Sequence, residues 1–148
     1  MRWFVSSIFL FCFCAAVQAE PGKPLDVPVA IGHDVQGIRI PITSPDGKLQ
    51  LVFESEIAFR KDQQTLQFSD LRVETFDDNG KPEMIIEMPL SFFDLGTRVL
   101  TSEKPITIRR PDVEVTGDKL IFDTQKRQGK LTGQVRVRLL NNAKEDKP

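Results

Sequence analysis

Leu49-Gln50-Leu51-Val52-Phe53-Glu54-Ser55-Glu56-Ile57-Ala58-Phe59 is the stretch that decides the fold. Leu49, Leu51, Phe53, Ser55, Ile57 and Phe59 share one parity. Gln50, Glu54, Glu56 and Arg60 take the other, and Val52 and Ala58 are the exceptions. Successive side chains of a strand point to opposite faces, so a period of two predicts a β-strand with one buried face. At about 3.3 Å per residue the strand runs to roughly 36 Å, longer than most globular strands. A polar turn over Arg60–Thr65 leads to a second strand over Leu66–Phe76. It opens on Leu66 and Phe68 and continues on Leu71 and Val73, so its frame slips by one residue at Ser69-Asp70. A β-bulge absorbs such a slip and keeps both halves facing the core.

The same unit recurs outward from there. Leu90-Ser91-Phe92 leads through Asp94 and Gly96 to Leu100 and then Ile106-Thr107-Ile108. Leu120-Ile121-Phe122 leads through Asp123–Lys130 to Leu131-Thr132-Gly133-Gln134-Val135-Arg136-Val137, a strand without a frame slip. Phe59, Phe92 and Phe122 lie 33 and then 30 residues apart. A repeat of that length is one supersecondary unit, and stacked units share a continuous core. Turn chemistry punctuates the chain at Ser44-Pro45-Asp46-Gly47, at Asp77-Asp78-Asn79-Gly80 and at Arg110-Pro111-Asp112. Pro89 lacks an amide donor, which predicts an edge strand or an outward-facing position. No stretch outside the first residues has helical spacing. The chain is therefore expected to be all-β, with roughly eight to ten strands joined as antiparallel hairpins.

The ends read differently. Arg2, the apolar run Trp3–Val17 and the small-residue site Val17-Gln18-Ala19 predict a cleaved signal over residues 1–19, with a short retained anchor as the alternative. Phe13 stands where a lipidation signal at Cys14 needs a small residue. Cys12 and Cys14 are the only cysteines, so the rest of the chain has no disulfide and no thiolate ligand. Losing that segment removes Arg2 and takes the net charge from −1 to −2. No basic block occurs, which argues against nucleic acid as a partner. Residues 20–36, with Pro21, Pro24 and Pro28, form an expected lead-in; residues 37–140 form the domain; residues 141–148 form a charged tail.

Chemistry is scarce. His33 is the single histidine and lies in the lead-in, so neither a metal site nor a Ser/His/Asp arrangement has its parts. Glu54 and Glu56 read as a solvated strand face, and Asp77-Asp78-Asn79-Gly80 as a turn without the closing ligands of a calcium loop. The expectation is a protein that is not an enzyme and uses no cofactor or metal.

Leu100-Thr101-Ser102-Glu103-Lys104-Pro105-Ile106-Thr107-Ile108, Val113-Glu114-Val115-Thr116-Gly117-Asp118-Lys119-Leu120-Ile121-Phe122-Asp123 and Leu131-Thr132-Gly133-Gln134-Val135-Arg136-Val137 together carry a resemblance. They are similar to the OstA-like proteins of lipopolysaccharide export, LptA and LptC, and nearer to LptC. The resemblance spans residues 49–140. It implies a β-jellyroll whose inner face takes acyl chains, located in the periplasm or held at the inner membrane if residues 3–17 are retained. It implies lipopolysaccharide, the other jellyroll proteins of the export bridge and the inner-membrane ABC transporter complex as partners. Alternation supplies an inward set that includes Leu66, Leu71, Val73, Ile86, Leu90, Val113, Val115, Leu120, Leu131 and Val137, and within it the expected lipid-binding residues Leu51, Phe53, Ile57, Phe59, Phe68, Met88, Phe92, Ile106, Ile108, Phe122 and Val135. The resemblance implies that these line a V-shaped groove reachable by fatty tails. Leu131, Val135, Val137 and Leu139 are expected on the edge strand that receives the next jellyroll, since main-chain hydrogen bonds can extend a sheet into a partner. The Gly37–Ile42 end would face the membrane complex. A different class of function fits the same residues: a non-enzymatic envelope interaction domain with a closed core.

Overall fold

The computed structural model describes residues 27–140. The expected signal or anchor and the charged tail lie outside the described residues. The described chain is all-β: β1 (Asp34–Thr43), β2 (Leu49–Arg60), β3 (Thr65–Phe76), β4 (Pro82–Asp94), β5 (Val99–Ser102), β6 (Ile106–Arg109), β7 (Val113–Gly117), β8 (Lys119–Asp123), β9 (Gln128–Thr132) and β10 (Arg136–Leu139). Every pairing is antiparallel, as a β-jellyroll of stacked hairpins requires. Turn residues behave as their chemistry dictates. Gly47 and Gly80 adopt φ of 84° and 76°, and the Asp77 carboxylate accepts the amides of Asn79 and Lys81 at 2.9 Å each.

One transverse row organises the sheet. Gly37 of β1, Glu56 of β2, Asp70 of β3 and Pro89 of β4 fall in line between paired residues on either side. Gly37 and Asp70 take left-handed φ of 63° and 51°. The row continues as the gaps between β5 and β6, β7 and β8, and β9 and β10, with Gly133 at φ 92° in the last of them. Along this row the sheet folds into two leaves. Leaf A holds the order β1-β2-β3-β4-β5-β8-β9. Leaf B shares β1 to β4 and continues through β6, β7 and β10.

The inward parity changes at the row in each long strand. In leaf B the buried inward side chains of the long strands are Ile38, Ile40 and Ile42; Leu51, Phe53 and Ser55; Leu71, Val73 and Thr75; Ile86 and Met88, while Val52 is buried on the opposite parity. In leaf A they are Ala58; Leu66 and Phe68; Ser91 and Phe93, joined by Leu100, Leu120 and Phe122 of the shorter strands. A one-residue irregularity swaps the faces of everything beyond it. The slip expected at Ser69-Asp70 is therefore present in β3, but the same switch also occurs in β1, β2 and β4. This corrects the predicted inward set. Ile57, Phe59 and Phe92 lie on the outer face of leaf A, half-buried, and Phe93 takes the inward place expected of Phe92. Pro89 sits in an interior strand rather than at an edge; it is tolerated because it lies on the row where the ladder is interrupted.

The fold row leaves backbone carbonyls without ladder partners, and two inward serines supply them. Ser55 Oγ lies within donating distance of Ile57 O at 2.8 Å and Ser69 O at 2.7 Å. Ser102 Oγ stands likewise to Leu90 O at 2.8 Å and Lys104 O at 3.2 Å. Buried carbonyls need such partners. Ser55→Ala is expected to lower unfolding stability by about 1 kcal/mol, read by urea denaturation, because two part-buried carbonyls lose the one hydroxyl proton they share. A loss below about 0.5 kcal/mol would remove the serine from this role.

Phe53 of leaf B meets Phe68 and Phe93 of leaf A edge-to-face, with centroids 5.9 and 5.2 Å apart. This aromatic contact joins the leaves at their centre. Val27 and Val29 of the lead-in also pack into the core, held where Arg60 Nη1 donates to Val29 O at 3.1 Å.

Candidate functional site

The inner face is closed in one direction and bare in the other. In leaf A the row Phe93–Leu100–Phe122 is fully buried and ends at Gly129, which has no side chain to present. In leaf B the row Ile86–Ile108–Val115–Val137 runs through β4, β6, β7 and β10. Cross-strand partners share a face, so all four side chains point inward. Yet burial falls steadily along the row. Ile86 is sealed, Ile108 and Val115 are half-buried, and Val137 is 63% exposed. Its neighbour on β10, Leu139, is 75% exposed and pairs with half-buried Val113. No described residue covers them, so they make a bare apolar shelf on the inner side of leaf B.

The shelf is bare because β8 and β9 cross leaf B diagonally. Near the fold row, Leu131 of β9 packs directly on the backbone of Gly117 in β7; a Cβ there would lie 2.6 Å from Leu131 Cγ. At the far tip, Arg127 reaches the opposite side of leaf B. Its Nη2 donates to Phe76 O at 2.6 Å and to Glu83 Oε2 at 2.7 Å. The covering strands thus run from β7 toward the β3–β4 turn and leave β10 behind.

The predicted site residues separate accordingly. Leu51, Phe53, Phe68, Met88, Ile106 and Phe122 are on the inner face and sealed in the core. Phe53, Phe68 and Phe93 fill the space between the leaves, so the interior there is not the open groove that the resemblance implies. Ile108 lies at the inner margin of the shelf. Val135, expected inside, is 46% exposed in the link between β9 and β10. The single last strand expected over Leu131–Leu140 is broken there. Gly133 adopts φ 92° and the Asp118 carboxylate accepts the Gln134 amide at 2.9 Å, so Leu131 ends up in leaf A and Val137 and Leu139 in leaf B. Ile57, Phe59 and Phe92 instead form an outer stripe on leaf A with Ile121; Phe92 and Ile121 border a groove of ≈ 530 Å³.

Among the described residues β10 pairs with β7 alone, which leaves its other side free. Leu140 N donates to Asp112 O at 2.8 Å. The two-residue period of an antiparallel ladder then aims the amides of Arg138 and Arg136 at β7 and those of Val137 and Leu139 outward. β1 is the opposite edge, pairing among the described residues with β2 alone.

Charge sits on the outer face of leaf B. Arg39, Glu54 and Arg72 form one ladder at 3.0 and 3.5 Å. Glu87, Arg109, Glu114 and Arg138 form another at 2.5, 3.1 and 2.9 Å. The hydrogen bond to Glu114 and then the charge of Glu87 raise the Arg109 pKa above its ordinary value. Glu54 is therefore an ion-pair partner, while Glu56 stands exposed on the fold row. Among the described residues no group of His, Cys, Asp and Glu could hold a metal ion, and no helix is long and apolar enough to cross a membrane.

Sequence reasoning missed Phe93, Arg127 and the Gly117–Leu131 contact. Arg127 lies in a polar turn with no local signal. Gly117 was visible only as a strand position lacking a side chain.

With the geometry in place, comparison with known proteins adds one finding. Residues 42–140 match the family model described as LptC: Lipopolysaccharide-assembly, LptC-related. The match takes in β2 to β10 and only the last two residues of β1, Ile42 and Thr43. No curated protein matches the chain.

Proposed function

The chain belongs to the LptC-related family of lipopolysaccharide assembly, with a role in lipopolysaccharide transport, and we propose that it carries acyl chains on the bare inner shelf of leaf B. The observation that supports this is the burial gradient from Ile86 through Ile108 and Val115 to Val137. An inward face that stays apolar while losing its cover leaves side chains for which an acyl chain supplies the missing contact. Val113, Val115, Val137 and Leu139 touch lipid first, and Ile108 follows. The sealed residues Leu51, Phe53, Phe68, Met88, Ile106 and Phe122 form the wall behind them. The protein supplies no energy and catalyses no reaction.

In this reading the protein works in the periplasm between the inner-membrane ABC transporter complex and the other jellyrolls of the export bridge. The free edge of β10 receives the next jellyroll, and the edge of β1 faces the membrane complex. Both junctions extend the sheet by main-chain hydrogen bonds.

Photo-crosslinking tests the shelf. A photoreactive residue at Val115, Val137 or Leu139 is expected to capture lipopolysaccharide, while one at Phe53 captures none. Equal labelling at Phe53 and Val137 would place the lipid elsewhere. The filled space around Phe53, Phe68 and Phe93 favours a second reading, an envelope interaction module with a closed core. Absence of capture at every shelf position would select it.

A further inference from the structure

We propose that the β8–β9 hairpin is a strap that lifts to let an acyl chain pass from the shelf to the interior, with Arg127 as its latch and Leu131 as its pivot. The inference rests on the shelf as the lipid site. It starts from Arg127, a non-glycine residue held at φ 55°, where an L side chain is strained. That conformation aims the guanidinium away from its own leaf and across to leaf B, where it meets Phe76 O and Glu83. Glu83 also faces Arg110 of leaf B at 3.8 Å, so one carboxylate holds a cation from each leaf.

Two further contacts define the motion. Thr124 Oγ1 donates to Arg98 O at 2.8 Å and Thr124 N to the same oxygen at 3.1 Å, tying the tip of β8 to the start of β5. The strap therefore remains part of leaf A, and Arg127 spans the gap at this tip. At the other end, Leu131 rests on Gly117, beside the fold row marked by Asp118 and Gly133. Among the described residues β9 has β8 as its one ladder neighbour, and β8 is laddered to β5, so the strap moves as the outer edge of leaf A without parting from it. Lifting the strap from the tip exposes Leu120, Phe122 and the inner side of β6 and β7 as a continuation of the shelf. The latch is polar and exchangeable, whereas the Phe53–Phe68–Phe93 contact that holds the leaves together lies deeper and stays in place.

The test uses the full chain with Arg127→Gly, which relieves the backbone strain and removes the latch, and Leu131→Ala as a second variant. Amide hydrogen exchange reports the strap and fluorescently labelled lipopolysaccharide reports uptake. In Arg127→Gly the amides of β9 are expected to exchange about tenfold faster, with those of β2 and β3 unchanged, because local opening is governed by the contacts that close it. Uptake and release of the labelled lipid speed up by a similar factor. Unchanged β9 exchange overturns the strap. Faster β9 exchange with unchanged lipid rates overturns its role in lipid passage. If the wild-type chain takes up no lipid at all, the shelf reading itself fails, and the exchange measurement still shows whether the strap exists.

Discussion

Val137→Pro is expected to weaken association with a neighbouring jellyroll by about 100-fold or more, some 2.7 kcal/mol, while the monomer keeps its fold. The direction of one amide separates the two effects. The bond from Leu140 N to Asp112 O fixes the phase of the β7–β10 ladder, so the Val137 amide points to the free edge and takes no part in holding β10. Proline there removes an outward donor and sets its ring against an incoming strand. Monomer stability shifts by less than about 1 kcal/mol, because the side chain is exposed and no internal bond is lost. Arg138→Pro is the matched control. Its amide points at β7, so that substitution breaks the internal ladder and costs on the order of 2 kcal/mol. Titration calorimetry with a purified neighbouring jellyroll, alongside thermal melts of each variant, separates the two effects. Undiminished binding by Val137→Pro would falsify the edge assignment.

Phe93→Ala is expected to cost about 3–5 kcal/mol of unfolding stability, and Phe92→Ala about 1 kcal/mol. The two residues are adjacent and chemically identical, so only their faces differ. Phe93 is fully buried and packs edge-to-face on Phe53 from the other leaf. Its removal deletes a large transfer term and leaves a cavity between two leaves that cannot close over it. Phe92 stands half-buried on the outer face, between Gln67 and Thr101. Its removal exposes some neighbouring apolar surface and creates no cavity. Denaturant unfolding of the two variants decides the matter: similar losses, or the larger loss at Phe92, would mean that the parity switch at Pro89 is misplaced.

That pair also shows where the sequence was legible. The slip in β3 could be read because Leu66 and Phe68 carry one parity, Leu71 and Val73 the other, and polar residues mark the opposite face on each side of Asp70. The same switch in β2 and β4 was hidden. After Glu56 and Pro89, Ile57, Phe59, Leu90 and Phe92 continue the earlier parity with apolar side chains, because the outer face of leaf A is apolar at those positions. Ala58, Ser91 and Phe93 then take the inner face, and two of those three are too small to announce themselves. The break at Gly133 was missed for a related reason: Leu131, Val135 and Val137 keep one parity across it while changing leaf.

The sequence by itself determined the strands, their turns and the all-β class, since alternation and left-handed glycines act within a few residues of where they are written. It also carried the family's strand and turn pattern, for the same reason. Which face of each strand is inside, and where that face lies bare, was decided only by the tertiary structure. A parity switch is worth its local strain only when neighbouring strands switch in the same row, and a side chain is covered only if another leaf happens to cross above it. Val115 and Val137 face the same way as Ile86; the diagonal path of β8 and β9 over leaf B is what seals one and leaves the others open.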